Sequence, residues 1–274
     1  MTDLAEFQHA VEAARVQLGR YSVTLITVSK NGIPDDIGSG TCVDLDGRRG
    51  IFTAAHVVLK TPVDRISIGL PISGGFNSYI RSIHLEGGKW DDLGLETDPI
   101  DVAFLELTDE GIQAISRSKE FLKNDRIEKG VSYRERQFLV YGTPRALLDE
   151  AAIAEEKLIL RPICYATVPS KERPGETTID DHILLEFPAE ENIWTASGEP
   201  LDVRIPEEKK LVSDPGGFSG GGIWTMRSEK SVVWSPESIA LVGIQTGWLE
   251  NRRLIVGNQI QHAIAAATNA PQDS

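Results

Sequence analysis

Three short stretches of the chain carry the residue types of nucleophilic hydrolysis. In TAAHVV, Thr53–Val58, His56 follows two small residues at the end of an apolar run, which predicts that its imidazole is presented at a strand-to-helix corner. Forty-five residues further on, Asp101 opens DVAFLEL, an alternating strand whose first residue is a carboxylate at the strand's edge. The third stretch is DPGGFSGGG, Asp214–Gly222, with five glycines around Phe218 and Ser219. Glycine at that density costs backbone entropy and is expected where the chain takes positive φ or lets another backbone approach closely. Such a turn can aim two peptide N–H groups, those of Gly217 and Ser219, at one point, where they would stabilise the oxyanion of a tetrahedral acyl-transfer intermediate. Taken singly, each stretch has a plainer reading: a hydrogen-bonded structural histidine, a turn acid before a strand, a Gly/Ser linker. Phe218 and the apolar Ile223–Trp224 that follow argue for packed structure over a linker. Asp98 is the competing carboxylate, but it precedes Pro99 in a turn-like segment, whereas Asp101 abuts the apolar strand directly.

The elements that must position these residues are mostly strands. Leu4, Phe7, Val11, Ala14, Val16 and Leu18 recur mainly at helical spacing and Gly19 offers a stop signal, so residues 1–20 read as an amphipathic cap helix. The texture then changes to β-branched runs separated by turn formers: Tyr21–Val28, Gly38–Leu45, Gly50–Ala54, Arg65–Leu70 and Asp101–Leu107. A polar, helix-prone insertion from Thr108 to Gly130 divides this half, residues 21–130, from a second β-like half, residues 131–274. That half holds Gln137–Gly142, Leu158–Val168, His182–Phe187, Gly222–Trp224 and Ser238–Thr246, and closes with a helix expected from about Asn258 to Thr268. The charged stretches Ser170–Asp181 and Pro188–Lys210 read as solvated connections.

Chain order separates two kinds of serine hydrolase. GFSGG satisfies the G-x-S-x-G nucleophile elbow of α/β-hydrolases, in which the histidine follows the serine. Here only His262 follows Ser219, inside the expected C-terminal helix, and GGIW continues into a strand-like segment instead of a helix. The order His56, Asp101, Ser219 matches the chymotrypsin arrangement.

On GSGTCV at Gly38–Val43, TAAHVV, DVAFLEL, GGFSGG and LVGIQTG at Leu241–Gly247, the chain resembles a trypsin/chymotrypsin-like serine peptidase of the compact bacterial type. The resemblance implies a mainly β fold of two packed six-stranded β-barrels with N- and C-terminal helices, the triad lying in the cleft between them. It implies Ser219 as nucleophile, His56 as general base and Asp101 as the group that holds the His56 tautomer. Gly217 and Ser219 would form the oxyanion hole with their backbone N–H groups. The strand carrying Gly243, Gln245 and Gly247 would pair with an extended polypeptide substrate, and Ser213 to Gly216, with Asp214 among them, would line the primary pocket. Two departures matter. Phe218 stands where animal members have an aspartate that binds a freed N-terminus after cleavage, so that activation route is closed to this chain, and the cysteine pairs of secreted members are missing.

Composition bounds the function classes. A net charge of −13 disfavours duplex nucleic acid and anionic membranes as partners. Hydrophobic residues at 41% and charged residues at 25% are the balance of an ordinary globular protein. Cys42 and Cys164 are too few for a disulfide framework, and with five scattered histidines and no C-x-x-C pair they suggest neither a zinc site nor another metal or cofactor. They read as two reduced, buried thiols. The opening residues lack a basic n-region and an apolar h-region, and no apolar run approaches the ~20 residues of a membrane helix, so the expected location is cytoplasmic. His9, His84 and His182 have no partners recognisable in sequence and read as structural or surface residues. A cytoplasmic peptidase must spare its host, which makes an activating protein partner a further expectation. A catalytically silent, peptidase-like binding module is the remaining reading.

Overall fold

A computed structural model describes residues 4–30, 34–59, 61–69, 79–87, 99–130, 137–145, 162–172, 178, 180–187, 193–195, 216–226 and 238–268. The chain is mainly β, built from two antiparallel sheets. The first holds β1 (Ser22–Val28), β2 (Pro34–Leu45), β3 (Arg48–Thr53), β4 (Ile66–Gly69), β5 (Ile80–Gly87), β6 (Asp101–Leu107) and β7 (Leu122–Lys123). Its strand order is β4-β1-β2-β3-β6-β5, with β7 lying parallel to β2. The second holds β8 (Phe138–Gly142), β9 (Ile163–Thr167), β10 (His182–Glu186), β11 (Ile193–Thr195), β12 (Gly222–Met226), β13 (Ile239–Leu249) and β14 (Leu254–Gln259), in the order β10-β14-β13-β12-β8-β9-β11. Each sheet thus has seven strands where six were expected; the additions are the two-residue β7 and the three-residue β11.

The helices are α1 (Leu4–Tyr21), α2 (Ala55–Val58), α3 (Asp109–Ile115) and α4 (Ile260–Thr268). α1 runs past Gly19 because that glycine serves packing and not termination: a Cβ there would lie 3.0 Å from the Tyr141 hydroxyl. The Ser22 hydroxyl, donating to the Leu18 carbonyl at 2.9 Å, closes its last turn. Val11, Ala14 and Leu18 form the buried stripe of α1, and Tyr21 stacks on Trp224 with ring centroids 6.1 Å apart.

Three apolar clusters account for the layering. Leu25, Cys42, Ile51, Ile66 and Leu105 fill the first sheet's interior, and Phe138, Tyr165, Phe218 and Ile255 fill the second's. Between the sheets, Phe52 and Phe104 meet Leu139, Trp224 and Leu241, joined by α1 and α4. Burial of these side chains is the main driving force holding the two sheets face to face.

Besides β7 and β11, the latter within the stretch Pro188–Lys210 that reads as a solvated connection, β14 and β5 differ from the sequence expectation. Residues 254–259 form β14, and the helix expected from about Asn258 begins only at Ile260. Pairing of Asn258 with His182 on one side and Ile244 on the other draws it into the sheet. β5 was not expected, because Arg81, Ser82, His84 and Glu86 dilute its alternation; it forms by pairing along β6. Of the Thr108–Gly130 insertion, α3 packs beside the first sheet while Arg126 Nε and the Glu128 N–H donate to the Ile239 and Leu241 carbonyls of the second, at 2.9 and 3.0 Å.

Candidate active site

His56 is the second residue of α2, which starts one residue after β3, and Asp101 is the first residue of β6, which pairs with β3. This neighbourhood brings the two side chains together. The His56 backbone N–H donates to Asp101 Oδ1 at 2.9 Å, and Nδ1 lies 2.5 Å from Oδ2. A carboxylate accepts only, so Nδ1 carries the proton and Nε2 is the basic nitrogen of the neutral ring. The Asp101 side chain is 5% exposed and that of His56 is 32% exposed, so the acid is sheltered and the base is reachable.

The second sheet grips the backbone that presents Asp101. Asn258 Oδ1 accepts the Asp101 N–H at 3.0 Å, and Asn258 Nδ2 donates to the Pro99 carbonyl at 3.0 Å. His182 Nε2 donates to the same carbonyl at 2.9 Å, while its Nδ1 accepts the Thr178 N–H at 3.2 Å. Those two bonds assign the His182 proton to Nε2 and leave the ring neutral. Asn258 and His182 are register partners across β14 and β10, so one ladder supplies both contacts.

Ser219 sits in a turn whose carbonyls are all tied down. The Gly216 carbonyl accepts the Arg145 N–H at 2.7 Å, that of Gly217 the Ser39 hydroxyl at 3.0 Å, that of Phe218 the Gly221 N–H at 2.7 Å and that of Ser219 the Ser39 N–H at 2.8 Å. Because a peptide's N–H points away from its carbonyl, the N–H groups of Gly217 and Ser219 turn the other way, and among the described residues neither has a partner. Gly217 and Gly220 take φ of +91° and +89°. A Cβ on Gly220 would lie 2.0 Å from the Ser39 carbonyl oxygen, so glycine is required there on both counts. Phe218 anchors the turn from below, buried edge-on against Tyr165 with centroids 5.3 Å apart. Gly38 links the two halves of the site: a Cβ there would meet Val57, next to His56, at 2.5 Å and the Ser219 carbonyl at 3.2 Å.

The residues expected along the substrate strand have different surroundings. Gly243 pairs on both sides, with Ile223 and Gln259. The Gln245 N–H and carbonyl go to Gly221 and Gly220, both at 2.8 Å, and its buried side chain accepts the Tyr165 hydroxyl at 2.9 Å. β12 pairs with β13 only as far as Ile244, so from Gly247 to Leu249, past a register shift at Thr246, β13 is paired with β14 on one edge and meets no strand on the other among the described residues. Ser213 and Asp214 lie outside the described residues.

Elsewhere, burial pushes the thiols of Cys42 and Cys164 up to about 12, and both are free. No group of His, Cys, Asp and Glu among the described residues could hold a metal ion. No described helix is long and apolar enough to cross a membrane. Sequence reasoning missed Ser39, Asn258 and His182. The only local signals were a hydroxyl within GSG and an amide within the apolar LIVGNQ, and neither names a partner.

No family model matches this sequence, and no curated protein matches it by sequence. Among solved structures, HL collagenase is similar at 14% identity and a TM-score of 0.50, covering 94% of this chain and 96% of that one. The scabies mite inactivated protease paralogue S-D1 is similar at 12% identity and a TM-score of 0.55, covering 94% and 97%. Another scabies mite inactivated protease paralogue, S-I1, is similar at 13% identity and a TM-score of 0.50, covering 93% and 96%. At these identities the likeness is one of fold, and the fold is that of the trypsin/chymotrypsin-like serine proteases.

Proposed function

We propose that this protein is a serine endopeptidase, acting in the cytoplasm, that hydrolyses polypeptides through an acyl-enzyme on Ser219. The observation that carries the reading is the double hold of Asp101 on His56, through the backbone N–H and Nδ1, in a fold whose glycine turn carries Ser219 with two N–H groups that have no partner among the described residues. In the first half-reaction Ser219 Oγ attacks the substrate carbonyl carbon and its proton passes to His56 Nε2. Asp101 stabilises the resulting imidazolium, and the Gly217 and Ser219 N–H groups hold the oxyanion. Collapse breaks the C–N bond, with His56 returning the proton to the leaving amine. Water then attacks the ester by the same path, giving the acid and restoring Ser219. The extended substrate adds as a strand along Gly247 and its neighbours, with Ser213, Asp214 and Gly216 lining the primary pocket, and residues 21–130 and 131–274 are the two units flanking the cleft. The buried, unpaired thiols of Cys42 and Cys164 support a reducing compartment.

A second reading is a silent binding module or an effector protease latent until a partner binds. It is favoured by one finding: the same fold is shared with protease paralogues described as inactivated. Fluorophosphonate labelling of the purified chain, with the adduct located by mass spectrometry, separates the readings. The peptidase reading expects an adduct on Ser219 that disappears in Ser219→Ala and His56→Ala. A folded protein that takes no label, or labels equally in Ser219→Ala, defeats it, and labelling that appears only with an added partner supports latency.

A further inference from the structure

The chain has a neutral way of holding its oxyanion turn in shape. We propose that Ser39 is a positioning residue that keeps the Gly216–Ser219 turn open in the resting protein, an assignment that rests on the peptidase reading of Ser219.

Ser39 grips the turn at three points. Its N–H donates to the Ser219 carbonyl at 2.8 Å, its carbonyl oxygen occupies the space where Gly220 would carry a Cβ, and its hydroxyl donates to the Gly217 carbonyl at 3.0 Å. The direction of that last bond is forced. The Thr143 N–H donates to Ser39 Oγ at 2.9 Å, which occupies a lone pair and leaves the single hydroxyl proton for Gly217. Ser39 is fully buried, so water cannot readily substitute for this contact.

Gly217 is where such a strut matters. Its φ of +91° is open to glycine at little cost, and so are other conformations. The plane before Gly217 is tied by the Arg145 N–H on the Gly216 carbonyl at 2.7 Å, and the plane after it by the Ser39 hydroxyl on the Gly217 carbonyl. Both ties lead to residues 143–145, one directly and the other through Ser39. With both planes held, φ and ψ of Gly217 are fixed, and with them the direction of its N–H relative to the rest of the turn. Removing the hydroxyl releases ψ and leaves the Gly217 carbonyl free to rotate. The residue between Gly217 and Ser219, Phe218, is apolar and buried, so its own side chain offers no charge for this task.

The test compares wild type, Ser39→Ala and Thr24→Val. Thr24 Oγ1 lies 2.6 Å from Thr143 Oγ1, so Thr24→Val removes a buried hydroxyl contact one step from the strut without touching the turn. Ser39→Ala is expected to label with fluorophosphonate about 10- to 100-fold more slowly. On a peptide substrate its kcat is expected to fall by the same factor at little-changed KM, while Thr24→Val, though less heat-stable, labels at the wild-type rate. Labelling of Ser39→Ala within twofold of wild type overturns the proposal, as does equal slowing in Thr24→Val. Should Ser39→Ala not fold, Ser39→Cys, which retains a weak donor of similar shape, is expected to show the same loss in smaller measure. A wild-type protein that takes no label defeats the peptidase reading alone. The Ser39 assignment then rests on the Gly217 carbonyl in a crystal structure of the Ser39→Ala protein: rotated as expected, or unchanged, which overturns it.

Discussion

Asn258 and Asp101 belong to different sheets, yet the Asn258 amide accepts the Asp101 N–H and donates to the Pro99 carbonyl, both at 3.0 Å. The backbone that carries the carboxylate bonded to His56 is thus held in place by a strand of the other sheet. Asn258→Ala leaves the buried Asp101 N–H without a partner, at an expected cost of about 1–3 kcal/mol in stability. Chemical denaturation measures that loss. Fluorophosphonate labelling of Ser219 is expected to slow more than the unfolded fraction alone accounts for.

Glu106 sits in a half-buried cluster with Arg48 and His84, and Arg48 also bonds the Ala267 carbonyl near the end of α4. Partial burial pushes the Glu106 carboxyl up, but the bond to Arg48, the Arg48 charge and His84 together outweigh it and hold the group below its ordinary value. A carboxyl depressed in the folded state stabilises the protein above its unfolded pKa of about 4.3, and that contribution is lost as pH falls through the folded value. Unfolding free energy is expected to decline below about pH 4–5 in part through this group. Glu106→Gln should remove that part of the decline; an unaltered acid limb in denaturant titrations would count against the assignment.

Cys42 and Cys164 are fully buried and remain thiols at neutral pH, since burial pushes both up to about 12. Thiolate is the nucleophile in alkylation. Iodoacetamide at pH 8 is expected to leave both unmodified in the native protein and to modify both in denaturant, as intact-mass measurement would show.

Gly220→Ala would put a methyl group 2.0 Å from the Ser39 carbonyl oxygen and 2.2 Å from Thr53 Oγ1, on a backbone with φ of +89°. The expected result is a loss of at least about 2 kcal/mol together with loss of Ser219 labelling. Gly47 has φ of +97° and nothing within 4 Å of a Cβ, so Gly47→Ala serves as the control for strain without a clash.

The parts legible in sequence are those whose signal is local. Two β-rich halves follow from β-branched runs between turn formers, and the stretches around His56, Asp101 and Ser219 stand out by small-residue density and by a carboxylate opening an apolar strand. What was not legible depends on residues distant in sequence. Asn258 reads as a helix residue until β10 pairs with β14, and His182 looks solitary until the Pro99 carbonyl is brought to it. Ser39 sits in the strand-like run Gly38–Leu45, whose alternation names no partner for its hydroxyl; its role arises from Thr143 and Gly217, which no spacing rule connects to it. Gly243 and Gln245 show the reverse: their place on the expected strand is visible in sequence, but the ladder that occupies their backbone groups is not.

All four carbonyls from Gly216 to Ser219 are engaged by N–H or O–H donors, so on the proposed peptidase reading the attraction offered to a developing negative charge comes from peptide N–H dipoles. In a protein of net charge −13 this is a small electropositive spot built without any titratable group. It neither gains nor loses a proton, and counter-ions screen it far less than they would an exposed lysine or arginine. The pH and salt dependence of turnover should accordingly be traced to the His56–Asp101 pair and to the encounter with substrate, with the oxyanion site itself unchanged across both.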